Sequence, residues 1–177
     1  MTWESATNEL TVLLRALVAL FLGGLLGWER ENAGKWAGLR THMLVALASL
    51  IFISLGQMLI ADTLKVSHQA DRSIVQADPS RMIEAIVAGI AFLGAGTIFR
   101  DNSAGKARGL TTAASLLTTA TIGIAVAIDR YLIAIGVTAL CLITLHTLNR
   151  LSGQIHQSSG GEKGGATDSA RKNDLEK

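Results

Sequence analysis

Arg30-Glu31-Asn32-Ala33-Gly34-Lys35-Trp36-Ala37-Gly38-Leu39-Arg40-Thr41 returns later in the chain as Arg100-Asp101-Asn102-Ser103-Ala104-Gly105-Lys106-Ala107-Arg108-Gly109-Leu110-Thr111-Thr112. With one insertion at Ser103, eight of the twelve aligned positions are identical, and Glu31 answers Asp101. Each copy lies between two long apolar runs. Helix, charged loop and helix therefore occur twice in the same orientation. A parallel repeat predicts two related hairpins about an axis along the membrane normal, with a shared site between them. Convergence of short, basic, Gly-rich membrane loops would give the same likeness without a repeat.

The composition points to lipid. Of 177 residues, 49% are hydrophobic and 17% charged, and the mean hydropathy is +0.38. Proline occurs once and glycine eighteen times; glycine within apolar stretches is a trait of membrane helices, which pack through small residues. The charges gather in short segments between the apolar runs. A net charge of +2 is too small to suggest nucleic acid. The single cysteine, Cys141, sits within an apolar run and has no internal disulfide partner. The first ten residues carry Glu4 and Glu9 and no basic residue, unlike a secretory leader, so the first apolar run is read as a retained span.

Five runs reach spanning length, about 20 residues: Leu10–Trp28, Thr41–Ala61, Met82–Phe99, Leu110–Ile128 and Tyr131–Asn149. The expected fold is an all-α membrane protein of five transmembrane helices, with helices 1-2 and 3-4 as the parallel repeat. A membrane domain covers residues 1–149. Residues 150–177 are polar and read as a disordered cytoplasmic tail. Asp78-Pro79 is a start signal for the third helix. Loops one and three and the tail hold eleven of the sixteen lysines and arginines, against four on the other side, with Arg15 inside a span. The positive-inside rule then puts the N-terminus outside and the C-terminus in the cytoplasm.

Ala19, Gly23 and Gly27 stand four apart and share a helix face; Ser115, Thr119, Gly123 and Ala127 do the same. Gly94-Ala95-Gly96 either permits a tight crossing or breaks the third helix. Across residues 20–125 the chain resembles the MgtC/SapB family of bacterial inner-membrane proteins. The matching blocks are Gly23-Gly24-Leu25-Leu26-Gly27-Trp28-Glu29-Arg30, Ala37-Gly38-Leu39-Arg40-Thr41, Gly89-Ile90-Ala91-Phe92-Leu93-Gly94-Ala95-Gly96-Thr97-Ile98 and Arg108-Gly109-Leu110-Thr111-Thr112-Ala113-Ala114. The resemblance implies a five-span domain tied to growth in low magnesium and, in pathogens, to survival inside host cells. Better-known members carry a soluble domain after the fifth span. Here a polar tail stands in its place, and some members have Asn at Thr111.

Chemistry-bearing residues cluster at the expected cytoplasmic end. Glu29 and Glu31 offer oxygen ligands suited to a hard cation; a salt-bridge cluster with Arg40, Arg100 or Arg108 is the plainer alternative. Arg30, Asp101 and Thr111 belong to the same face. Thr41 and Thr112 open helices and are expected to cap them, and helix N-termini beside Arg40 and Arg108 also suit an anion. His42 is expected to pack at the interface or bond a loop carbonyl. Arg15 and Glu84 fall at similar depth on the first and third helices, and are expected to pair. No metal site, cofactor or catalytic constellation is expected. Two functions compete: an adaptor that binds a membrane ATPase or transporter under magnesium or acid stress, and a small carrier or channel for Mg2+ or protons. A homo-oligomer is compatible with either.

Overall fold

The computed structural model of the chain describes residues 3–66, 79–100 and 107–147. Five helices form: α1 (Trp3–Asn32), α2 (Leu39–Val66), α3 (Pro79–Gly96), α4 (Leu110–Ala127) and α5 (Tyr131–Thr147). Two compact units divide the chain, Met1–Cys141 and Leu142–Lys177; α1 to α4 lie in the first. Three segments are long and apolar enough to cross a membrane, Thr7–Asn32, Leu39–Thr63 and Leu110–Ala127. The expected tail, 150–177, and the Asp78 cap lie outside the described residues.

The helices turn small residues inward and large ones outward. On α1, Ala16, Ala19, Gly23 and Gly27 are buried, while Leu13, Leu17, Phe21 and Trp28 are exposed. In lipid, apolar side chains gain little by leaving the hydrocarbon, so association rests on close backbone approach. A Cβ on Gly23 would lie 2.8 Å from Ala46 Cβ, and one on Gly27 would lie 2.6 Å from Leu39 Cα. Both glycines thus seat α1 on α2. A Cβ on Gly123 would run into the Ala46 carbonyl, so α4 approaches α2 as closely. Helix α4 packs on α1, α2 and α3 and is the most enclosed of the three spans. Its stripe Ser115, Thr119, Gly123 and Ala127 is buried throughout.

Helix ends follow local chemistry. Gly34 (φ 64) ends α1 in a Schellman motif: its N–H bonds the Glu31 carbonyl and Lys35 N–H bonds the Arg30 carbonyl. Asp129 (φ 61) ends α4 the same way, with Asp129 N–H on Val126 and Arg130 N–H on Ala125. The third helix stops at Gly96, three residues before the expected Phe99. There Thr97 Oγ1 bonds the Gly94 carbonyl at 2.7 Å and Thr97 N–H bonds the same oxygen at 2.9 Å. The chain then forms a two-stranded antiparallel ribbon, β1 (Phe99–Arg100) with β2 (Ala107–Arg108), an exception to the all-α expectation.

Both loops close alike. The Gly38 carbonyl accepts His42 N–H, and the Gly109 carbonyl accepts Ala113 N–H. Each helix begins at the next residue, Leu39 or Leu110. Contrary to expectation, neither helix is opened by its threonine: α4 has Gly109 at its N-cap with no side-chain cap, and Leu39 N–H at the start of α2 is held by Glu31. Gly109 is required twice over. Its φ is 91, and a Cβ would collide with the Thr97 carbonyl. Gly109→Ala should therefore cost at least roughly 1–3 kcal/mol, seen as a lower melting temperature in detergent. Gly89→Ala, whose Cβ meets open space, should match the parent or exceed it.

Candidate functional site

The loop end of α1 turns a charge into the bundle. Arg30 follows the buried face that runs through Gly23, Leu26 and Gly27, and it is 1% exposed. Its Nε and Nη2 both donate to Glu29 Oε2, at 2.5 Å. Glu29 is itself largely covered. A buried guanidinium without a partner would be very costly, so this pairing is a condition for the helix to sit where it does.

Glu31 points the other way. Its Oε2 accepts the Leu39 N–H at 2.8 Å, satisfying a free donor at the start of α2 and placing an anion at its positive end. The expected cluster of Glu29 and Glu31 with Arg40, Arg100 or Arg108 is therefore replaced. Glu29 takes its sequence neighbour and Glu31 takes backbone.

His42, fully buried, joins two helices. Nδ1 lies 2.9 Å from the Gly38 carbonyl and Nε2 lies 3.1 Å from Ser115 Oγ on α4. A carbonyl only accepts, so Nδ1 carries a proton. Ser115 Oγ also reaches the Thr112 carbonyl at 2.8 Å. Its one proton thus has two acceptors when the ring is neutral. The loop carbonyl was one of two expectations for His42. The link to Ser115 was not foreseen; the signal is a polar residue at the same depth in two apolar runs.

Of the remaining expected site residues, Arg40, Thr41 and Thr111 are exposed. Arg40 makes no hydrogen bond or ion pair among the described residues and lines a groove between α2 and α3. Arg100 and Arg108 are exposed on the ribbon. Phe99 pairs with Arg108 and Arg100 with Ala107, which puts the two arginines on opposite ribbon faces. The four arginines thus do not converge: Arg30 is internal and the other three are spread over the surface. Thr112 is buried and contributes its carbonyl. Asp101 lies outside the described residues. The loops do meet, through Trp36 and Phe99, whose rings are 5.4 Å apart over a cavity of about 310 Å³ edged by Thr41, Leu93 and Gly96. A Cβ on Gly94 would lie 3.3 Å from Ala113 Cβ, so Gly94 seats α3 on α4, whereas a Cβ on Gly96 would meet nothing within 4 Å, so Gly96 is not a packing contact.

At the opposite end of α1 the expected Arg15–Glu84 pair does not form. Arg15 Nη2 bonds Asp129 Oδ2 at 2.6 Å and Nη1 reaches the Ala127 carbonyl at 3.3 Å. Tyr131 hydroxyl donates to Asp129 Oδ1 at 3.1 Å. The C-terminus of α4 offers a carboxylate and free carbonyls together, a better cation site than one carboxylate on a neighbouring helix. Glu84 is exposed.

Arg30→Leu should destabilise the protein in detergent by roughly 3 kcal/mol by stranding Glu29, and the double variant with Glu29→Leu should recover much of it; thermal melts of all three check this. Asp129→Ala should lower the melting temperature clearly more than Glu84→Ala, since of these two carboxylates it is Asp129 that bonds Arg15. Equal effects would return Arg15 to Glu84.

The MgtC family profile matches residues 16–154. "Putative magnesium transporter YhiD" of Escherichia coli strain K12 is 35% identical over 140 residues, 79% of this chain and 61% of that protein. Protein MgtC of Salmonella typhimurium strain LT2 is 34% identical over 154 residues, 85% of this chain and 59% of that protein. Protein MgtC of Brucella abortus strain 2308 is 35% identical over 124 residues, 70% of this chain and 44% of that protein. The chain thus spans about three fifths of the length of the first two relatives and less than half of the third. No solved structure matches it.

Proposed function

The chain belongs to the MgtC family, and on that premise we propose that it is a regulatory adaptor of the bacterial inner membrane, serving adaptation to low magnesium or acid stress by binding a membrane ATPase or transporter. In this reading all five helices span, α1–α2 and α3–α4 form a parallel repeat, and the loop end faces the cytoplasm. It is not an enzyme. Pathogens would use such a protein inside the host.

The observation that carries the adaptor reading is the apolar middle of the bundle. Between the His42 cluster and the Arg15–Asp129 pair, the buried residues are chiefly Ala46, Leu50, Ile53, Ala120, Ile122 and Val126. The polar groups there are hydroxyls such as Ser49, Ser54 and Thr119. Among the described residues no ionisable side chain is buried in that stretch. Ion pathways collect such groups. The loop end, by contrast, presents Trp36, Arg40, Arg100 and Arg108 outward, where a partner's cytoplasmic surface would meet them.

The second reading, a Mg2+ carrier, is favoured by the transporter name of the Escherichia coli relative. Affinity capture of the full chain from membranes should recover one stoichiometric membrane partner. Arg40→Ala, which breaks no bond among the described residues, should lose the partner and low-magnesium growth at normal protein level. Mg2+ flux through purified protein in liposomes, with no partner captured, would overturn the adaptor in favour of the carrier.

A further inference from the structure

One large opening enters neither reading except through Arg40 at its mouth. A groove of about 750 Å³ runs between α2 and α3. Its α2 side is Arg40, Leu44, Ala48 and Phe52, and its α3 side includes Met82, Gly89 and Leu93. It is open at Gly89, where a Cβ would meet nothing within 4 Å.

Arg40 to Phe52 is twelve residues, about 18 Å of helix. Arg40 stands at the start of the span Leu39–Thr63 and Phe52 near its midpoint. The groove therefore extends from one membrane surface to the bilayer centre, the depth of one leaflet of a hydrocarbon core about 30 Å thick. A slot of that depth, lined almost wholly by apolar side chains, suits hydrocarbon chains.

The two ends differ in chemistry. The inner part is apolar. The mouth carries the guanidinium of Arg40, which has no partner among the described residues, and the exposed hydroxyl of Thr41. A guanidinium at headgroup depth beside an apolar slot is the complement of a phosphate on hydrocarbon chains. We propose that the α2–α3 groove holds one anionic phospholipid, its phosphate on Arg40 and its acyl chains along Leu44, Phe52 and Gly89.

Native mass spectrometry of the full chain, loaded in mild detergent with equimolar phosphatidylglycerol and phosphatidylcholine, tests this. The parent should retain one phosphatidylglycerol in at least tenfold preference. Arg40→Gln should abolish the preference, and Gly89→Phe should abolish retention by filling the slot. Gly89→Leu gives a second, smaller filling with the same expectation. Arg100→Gln, a loop cation outside the groove, should retain the lipid as the parent does. The proposal is overturned by unselective retention, by retention unchanged in Arg40→Gln and the Gly89 variants, by equal loss in Arg100→Gln, or by a second copy of the chain or a partner helix occupying the groove in an experimental structure.

Discussion

A guanidinium that is 1% exposed inside a bundle whose outer surface is apolar can persist only if its charge is met at contact distance. Glu29 meets the charge of Arg30, and the rest of the loop end follows from that choice. With Glu29 committed inward, Glu31 is left to hold the start of α2 through Leu39 N–H. That bond places Gly38, whose carbonyl fixes both the backbone N–H and the ring of His42. The ring then reaches Ser115 and ties α2 to α4. Three helices are thus linked in series from one buried ion pair, and the last link, His42 to Ser115, is a hydrogen bond between buried groups, where an unmade bond is expensive.

The other end of α1 is governed by a similar rule with different parts. Arg15 cannot stay unpaired at the depth of a span. The end of α4 supplies carbonyls that the helix itself leaves unbonded, and Asp129 adds a carboxylate because the Schellman turn needs a residue tolerant of positive φ, which Asp is. One residue thus closes the helix, receives the arginine and accepts from Tyr131. A charge–carbonyl contact of this kind couples α1 to the α4–α5 turn, so each end of α1 is anchored to α4, through His42 at one and directly at the other.

Much of the architecture was legible from the chain. The apolar runs mark the helices because length and hydropathy are local properties. The glycine and Ser/Thr stripes mark the buried faces because helical periodicity is local too. The family was legible from its loop motifs. Partner choice was not, since it depends on which groups the fold brings together. Arg30 and Glu29 are sequence neighbours, which diverge around a helix, so nothing in their spacing announces the pair. Arg15 was matched to Glu84 by depth alone, whereas the carbonyls at the end of α4 have no sequence signature. The threonines of the Gly-Leu-x-Thr motifs look like caps, but each glycine turn starts its helix two residues earlier. The two loops are alike in where the following helix begins, although Gly109 has a positive φ and Gly38 does not. The likeness is weakest in between, where one loop is a Schellman turn and the other a β-ribbon.

Close packing on two sides of α2 explains the opening on its third. Ala46 and the Leu39–His42 backbone are taken by α1 through Gly23 and Gly27, and by α4 through Gly123. Those contacts use the small-residue faces of α2, so the face left for α3 carries Leu44 and Phe52, too large for backbone approach. Helix α3 in turn makes its tight contacts at its two ends, Met82 against Gly56 of α2 and Gly94 against Ala113 of α4. Between them it places Ala85 and Gly89 beside Ile86 and Ile90 along the groove, and the small pair leaves the gap unfilled. In water such a mismatch would close by collapse. In a bilayer the hydrocarbon that fills it is equivalent to side chain, and the drive to collapse is missing. The same lipid-phase physics that makes small residues the cement of this bundle therefore leaves these mismatched faces apart.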